Sequence, residues 1–115
     1  MPNETRSVHL ALIQFESSLC NPEVNTEKAC RMIAEAAAQG ADLVVLPELF
    51  STGYELNIVG PHVPELAEPV DGPTVRALQD AARAGGCYVV AGLALTHEMA
   101  GVAYNSAVFI DRDGE

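Results

Sequence analysis

A single carboxylate follows a short apolar run in Leu46-Pro47-Glu48-Leu49-Phe50. The residues ahead of Pro47, Leu43-Val44-Val45-Leu46, are branched and apolar, as in a buried strand that the proline shuts off. Glu48 therefore falls at the carboxyl end of a strand, the edge where ligands bind in open α/β sheets. Desolvation there would suit a carboxyl group to general acid–base work. The alternative is a surface glutamate in a strand-to-loop turn. Pro47, with its φ fixed just before the charged residue, aims that side chain in a defined direction. From the residues alone both readings stand.

The other chemistry-bearing side chains form no comparable constellation. Cys20, Cys30 and Cys87 make an odd count with no CxxC pair, which fits reduced, partly buried thiols better than a disulfide framework or a zinc site. His9, His62 and His97 are scattered without metal-ligand spacing and read as solvated or packed histidines. No metal and no cofactor is expected. Gly85-Gly86 ends a predicted helix and does not open one, so it is not a phosphate loop. Glu16-Ser17-Ser18-Leu19, after the first predicted strand, contains no glycine, which sets aside a nucleotide-binding α/β domain.

The elements that must position Glu48 are legible in the apolar periodicity. Val8 to Phe15 reads as a strand buried on both faces. Asn21-Pro22 and Asn25-Thr26-Glu27 both look like helix starts. Ala29, Met32, Ile33, Ala36 and Ala37 then form one helical stripe that Gly40 stops. Strand, helix and strand with short joints imply a crossover and parallel pairing. Ser51 to Val70, rich in Gly and Pro, reads as a long irregular stretch of the kind that tends to be functional. Asp71-Gly72-Pro73 opens a second helix with Val75, Leu78 and Ala82 inside, ended by Gly85-Gly86. Cys87 to Leu95 is a third strand, Thr96 to Gly101 a turn, and Val102 to Ile110 a fourth strand, antiparallel to the third. Asp111-Arg112-Asp113-Gly114 suits a hairpin turn, and no return strand follows. The expectation is a chain cut short.

Length and composition bound what this assembly can do. A chain of 115 residues allows one domain, 1–115, with a modest core. Sixteen acidic residues against 6 basic ones, net −10, leave nothing to neutralise a run of phosphates, so no nucleic-acid partner is expected. The polar start Met1-Pro2-Asn3-Glu4 and the short run Val8–Phe15 do not make a secretory signal. No apolar stretch approaches bilayer-spanning length, and a cytoplasmic protein without a membrane partner is expected.

Several of these segments, in order and along nearly the whole chain, resemble the first part of the nitrilase superfamily of carbon–nitrogen hydrolases. The matching residues are Ala11-Leu12-Ile13-Gln14, Asn25, Gly40-Ala41-Asp42-Leu43-Val44-Val45-Leu46-Pro47-Glu48 and Ser51-Thr52-Gly53-Tyr54. Val89-Val90-Ala91-Gly92 and Tyr104-Asn105-Ser106-Ala107 complete the set. The resemblance implies an α/β fold that is part of a four-layer α-β-β-α sandwich. It also implies a Glu–Lys–Cys triad, with Glu48 as general base and Tyr54 lining the substrate pocket or packing its loop. Asn105 and Ser106 are read as serving the strand's hydrogen bonding.

The lysine and cysteine motifs of that family have no match here. Lys28, the only lysine, lies in the first predicted helix. Cys87-Tyr88 superficially starts like the nucleophile motif, but Val89-Val90 follow where the family has Asp and then Arg. The implied complete protein is a homo-oligomeric hydrolase of a small carboxamide, carbamoyl amide or nitrile. Leu-Phe-Ser-Thr-Gly-Tyr looks more like the amidase and carbamoyl-amidase branches than the aromatic nitrilases. The 115 residues alone are expected to be inactive and to leave an apolar sheet face uncovered. A non-catalytic binding module on the same scaffold is the alternative, and it predicts a closed surface.

Overall fold

The computed structural model describes residues 5–115. Three β-branched or leucine-rich segments form parallel strands, and a hairpin adds a fourth. β1 (Leu10–Leu12), β2 (Leu43–Val45), β3 (Tyr88–Thr96) and β4 (Ala103–Ile110) lie side by side in that order. β1 pairs β2 and β2 pairs β3 in parallel, while β4 runs antiparallel to β3 from Thr96↔Ala103 to Val89↔Ile110.

The two long crossovers are helices. α1 (Pro22–Ala38) starts at Asn21, whose side chain accepts from the Val24 N–H, with Pro22 in the first turn. Of the two predicted starts the structure uses Asn21-Pro22. The segment from Ser51 to Val70 is less irregular than its composition implies, because it winds into short turns: α2 (Leu56–Val59), a 3₁₀ turn at Gly60–His62, and α3 (Val63–Leu66). Pro61 and Pro64 sit in the first turns of two of these, where a missing N–H costs nothing. α4 (Pro73–Gly85) ends at Gly86, which takes the left-handed conformation at φ 64°. Its first turn is tied down by Glu68, whose carboxylate accepts from the Thr74 N–H at 2.9 Å and from the Thr74 hydroxyl.

Both long helices cover one face of the sheet. Ala29 and Ile33 of α1 and Val75, Leu78 and Ala82 of α4 pack on Val44, Val89, Ala91, Leu93 and Ile110. Full burial of a side chain such as Ile33 or Leu78 contributes about 1.5–3 kcal/mol. Among the described residues no helix covers the opposite face. Leu10, Leu12 and Phe109 project there with 54%, 71% and 62% of their surface exposed. The expectation that the first strand is buried on both faces is therefore overturned. β1 is a three-residue edge strand covered on one side only, because all the helical mass lies on the other face.

Candidate functional site

Glu48 stands where β2 runs out. Its strand continues for one more ladder bond, from the Leu46 N–H to the Val90 carbonyl at 2.8 Å, before Pro47 removes a donor. The chain then folds over the open end of β3. Leu49 takes φ 50°, an uncommon conformation for a side-chain-bearing residue, and the Phe50 N–H donates to the Gly92 carbonyl at 3.1 Å. Phe50 is wholly buried and anchors the turn in the core.

Close approach to β3 is what makes Gly92 necessary. A β-carbon at Gly92 would lie 2.9 Å from Cα of Glu48, closer than real side chains sit to backbone. From the other side the turn is held by the segment joining β1 to α1. Asn25, almost wholly buried, donates to the Ser51 carbonyl at 2.8 Å and to the Ser18 carbonyl at 2.7 Å, and accepts from the Ser18 N–H at 2.7 Å. The Ser17 hydroxyl donates to the Phe50 carbonyl and the Cys20 N–H to the Thr52 carbonyl. The backbone under Glu48 is thus clamped between two loops and a strand.

The carboxylate emerges on the uncovered face of the sheet and is exposed. Its expected burial is not met within this chain, since the described residues put no second layer over that face. One side chain meets it: Asn105 Nδ2 donates to Glu48 Oε1 at 2.5 Å. Asn105 belongs to β4, opposite Ala94 and next along that face from the Gly92↔Ala107 pair. The reading of Asn105 as serving the strand's hydrogen bonding leaves this side-chain contact out. Its backbone serves the ladder, and its amide reaches the carboxylate.

The remaining candidates lie elsewhere. Tyr54 is 54% exposed just past the turn, outside the core. Cys30 sits on α1, with its thiol directed at the Ala77 carbonyl, and burial followed by the nearby Asp80 charge pushes that thiol up. Cys87 is fully buried ahead of β3, and its thiol is likewise pushed up by burial. Raised thiols are poor nucleophiles. Cys20 meets the segment after Glu48 through its backbone N–H, which donates to the Thr52 carbonyl. Lys28 donates to the Glu16 carbonyl and lies over the Phe15 ring, 5.1 Å from its centre. Among the described residues no group of His, Cys, Asp or Glu is placed to hold a metal ion, and no helix is long and apolar enough to cross a membrane.

Known proteins share both the sequence and this arrangement of elements. The carbon–nitrogen hydrolase family model matches residues 9–115. The chain belongs to the carbon–nitrogen hydrolase family. Among its relatives, a nitrilase from Pyrococcus abyssi is 43% identical over 108 residues, spanning 93% of this chain and 40% of the relative. An omega-amidase from Homo sapiens is 36% identical over 108 residues, spanning 94% and 37%. The crystal structure of an amidase from Nesterenkonia sp. superposes with TM-score 0.77 at 30% identity, over 96% of this chain and 41% of the amidase. In one variant of the Nesterenkonia sp. AN1 amidase, acrylamide has added to the active-site cysteine. The chain spans about 40% of the length of the relatives it matches. Its α/β architecture is that of part of a nitrilase-type carbon–nitrogen hydrolase domain, one sheet with one helical layer.

Proposed function

We propose that this carbon–nitrogen hydrolase chain, residues 1–115, is the amino-terminal portion of a single hydrolase domain and supplies its general base, Glu48. The observation that carries the reading is the placement of one clamped, exposed carboxylate at the carboxyl end of β2, on the uncovered sheet face. Residues outside this chain would lay the second sheet over Leu10, Leu12 and Phe109 and bring the lysine and the nucleophilic cysteine to Glu48. The bare apolar face weighs against a closed, non-catalytic binding module. Tyr54, just past the turn, would line the substrate pocket.

The chemistry is acyl transfer to sulfur. Glu48 takes the thiol proton, and the thiolate attacks the amide carbon to form a tetrahedral oxyanion held by the lysine. As the carbon–nitrogen bond breaks, Glu48 returns the proton to the departing nitrogen, leaving a thioester and free ammonia or amine. Glu48 next draws a proton from water, whose oxygen attacks the thioester, and the proton goes to the departing sulfur. A carboxylate with one free oxygen is suited to each of these transfers. The substrate class is a small carboxamide or carbamoyl amide, with a nitrile as the second possibility. The omega-amidase and amidase names among the relatives support that order, and the Pyrococcus abyssi relative, a nitrilase, keeps the nitrile as the second possibility. No metal or cofactor enters, and the complete enzyme is proposed to be a homo-oligomer in the cytoplasm.

Ammonia release from a panel of carboxamides and carbamoyl amides tests this, using the complete protein, its Glu48→Gln variant and residues 1–115 alone. Turnover is expected only from the complete wild-type protein. Near-equal rates for the wild type and a folded Glu48→Gln variant would overturn the general-base role.

A further inference from the structure

The β3–β4 hairpin grips Glu48 at both ends. Its backbone rests on Gly92 of β3, where even a methyl group would not fit, and its carboxylate meets the amide of Asn105 on β4. The residues around Asn105 on that face are small: Ala94 lies opposite it, and Gly92 and Ala107 form the next pair along. A carboxylate offers only acceptors, so the amide must present its nitrogen and not its oxygen.

We propose that Asn105 is a positioning residue for the general base: it holds Glu48 Oε1, so that Oε2 is the oxygen that exchanges protons with the reacting groups. The proposal rests on the general-base reading of Glu48. An exposed glutamate is free to turn about three side-chain bonds, and an unanchored base would spend much of its time pointing away from the thiol. The amide nitrogen lies within hydrogen-bond reach of Oε1. An amide is also a fitting choice of donor. It carries no charge, does not itself titrate at any working pH, and cannot take the proton that Oε2 must pass on. Each carboxylate oxygen then has a separate task, one structural and one chemical. The division survives the catalytic cycle, because a proton carried on Oε2 leaves Oε1 able to go on accepting from Asn105.

The test compares Asn105→Leu, Asn105→Gln and Glu48→Gln in the complete protein, on whichever carboxamide the wild type hydrolyses. Asn105→Leu keeps the side chain's size and removes the donor. Its kcat should fall on the order of ten- to a hundredfold, the loss expected for one hydrogen bond to a charged group. KM should stay within about twofold, because the amide touches the base and not the substrate. Asn105→Gln, with the same donor on a longer stem, should recover part of the lost kcat. A wild-type kcat for Asn105→Leu beside an inactive Glu48→Gln would refute the positioning role and leave the base intact. Equal losses in kcat and KM for the Leu and Gln variants, with lowered thermal midpoints, would also refute it, since that pattern marks a structural defect. Activity in Glu48→Gln would overturn the general-base reading, and this one with it. If Asn105→Leu does not fold, Asn105→Ser replaces it: its hydroxyl falls short of the carboxylate, so the same loss is expected and a wild-type kcat refutes.

Discussion

Adding one methyl group to Gly92 should separate activity from fold more sharply than most changes in this chain. The new β-carbon would lie 2.9 Å from Cα of Glu48 and 3.4 Å from N of Leu49. Ordinary van der Waals contact begins at 3.4 Å, so the Glu48 backbone must retreat by 3.4 − 2.9 = 0.5 Å. No rotamer change relieves the clash, because the atoms met are backbone. The ladder bonds on either side, Leu46 N–H to Val90 and Phe50 N–H to Gly92, resist the retreat at 2.8 Å and 3.1 Å. Overpacking of this kind costs about 1–3 kcal/mol. At a site that accepted the methyl group, glycine to alanine would instead stabilise by about 0.4–1 kcal/mol through the unfolded state. The sign of the change therefore tests the contact itself.

For activity the lever is longer. A misplacement of about 1 Å can cost on the order of a hundredfold in rate, so half of it should cost roughly tenfold in kcat/KM. Thermal unfolding and ammonia release by the complete Gly92→Ala protein measure both quantities. The expected result is a lower unfolding midpoint together with about a tenfold loss of kcat/KM. A midpoint that rises while kcat/KM stays at the wild-type value would refute the close approach of Glu48 to β3.

Three further outcomes follow from the packing. Asn25→Ala leaves the Ser18 N–H and the Ser51 carbonyl without a partner, while the Ser18 carbonyl keeps the Asn21 N–H; at about 1–3 kcal/mol for each group left unpaired, urea unfolding should show a loss of at least about 2 kcal/mol. An Asn25→Ala protein as stable as the wild type would mean the clamp holds nothing. Cys30 and Cys87 should be alkylated by iodoacetamide far more slowly in the native protein than in urea, since burial pushes both thiols up; prompt native labelling of Cys87 would contradict its packing. The folded state holds those thiol protons more tightly than the unfolded chain. Their contribution to stability is therefore complete below the ordinary thiol value of 9.0 and is lost as pH rises through the raised folded values. A Cys87→Ala protein should lose less stability than the wild type over that alkaline range.

The place of Glu48 at a strand end was visible in the sequence because its signals are local: a branched apolar run, a proline that ends it, then a lone carboxylate; its candidacy as a base came from the family resemblance. The helices were visible for the same reason, through an asparagine–proline start, a glycine stop and a single apolar stripe. The β3–β4 hairpin also appeared where the alternation of residues put it, as did the turn that Gly114 completes at φ 83°. Less legible was Ser51 to Val70, where proline and glycine hid short helical turns whose stability comes from neighbours and not from propensity. The exposure of β1 was misread because a continuous apolar run does not tell how many of its faces this chain can cover.

The sequence by itself determined the strands, the two long helices and the position of Glu48 at a strand end, since each depends on neighbours within a few positions along the chain. Only the tertiary structure decided what surrounds that residue. Asn105 and Gly92 lie 57 and 44 residues from Glu48 in the chain, and Asn25 reaches Ser51 across 26. Contacts at such separations are set by which strands lie side by side and in what register, and no local pattern encodes register directly. A glycine that admits a backbone and an asparagine that holds a carboxylate look ordinary in the chain, and acquire their roles when β2, β3 and β4 are brought together.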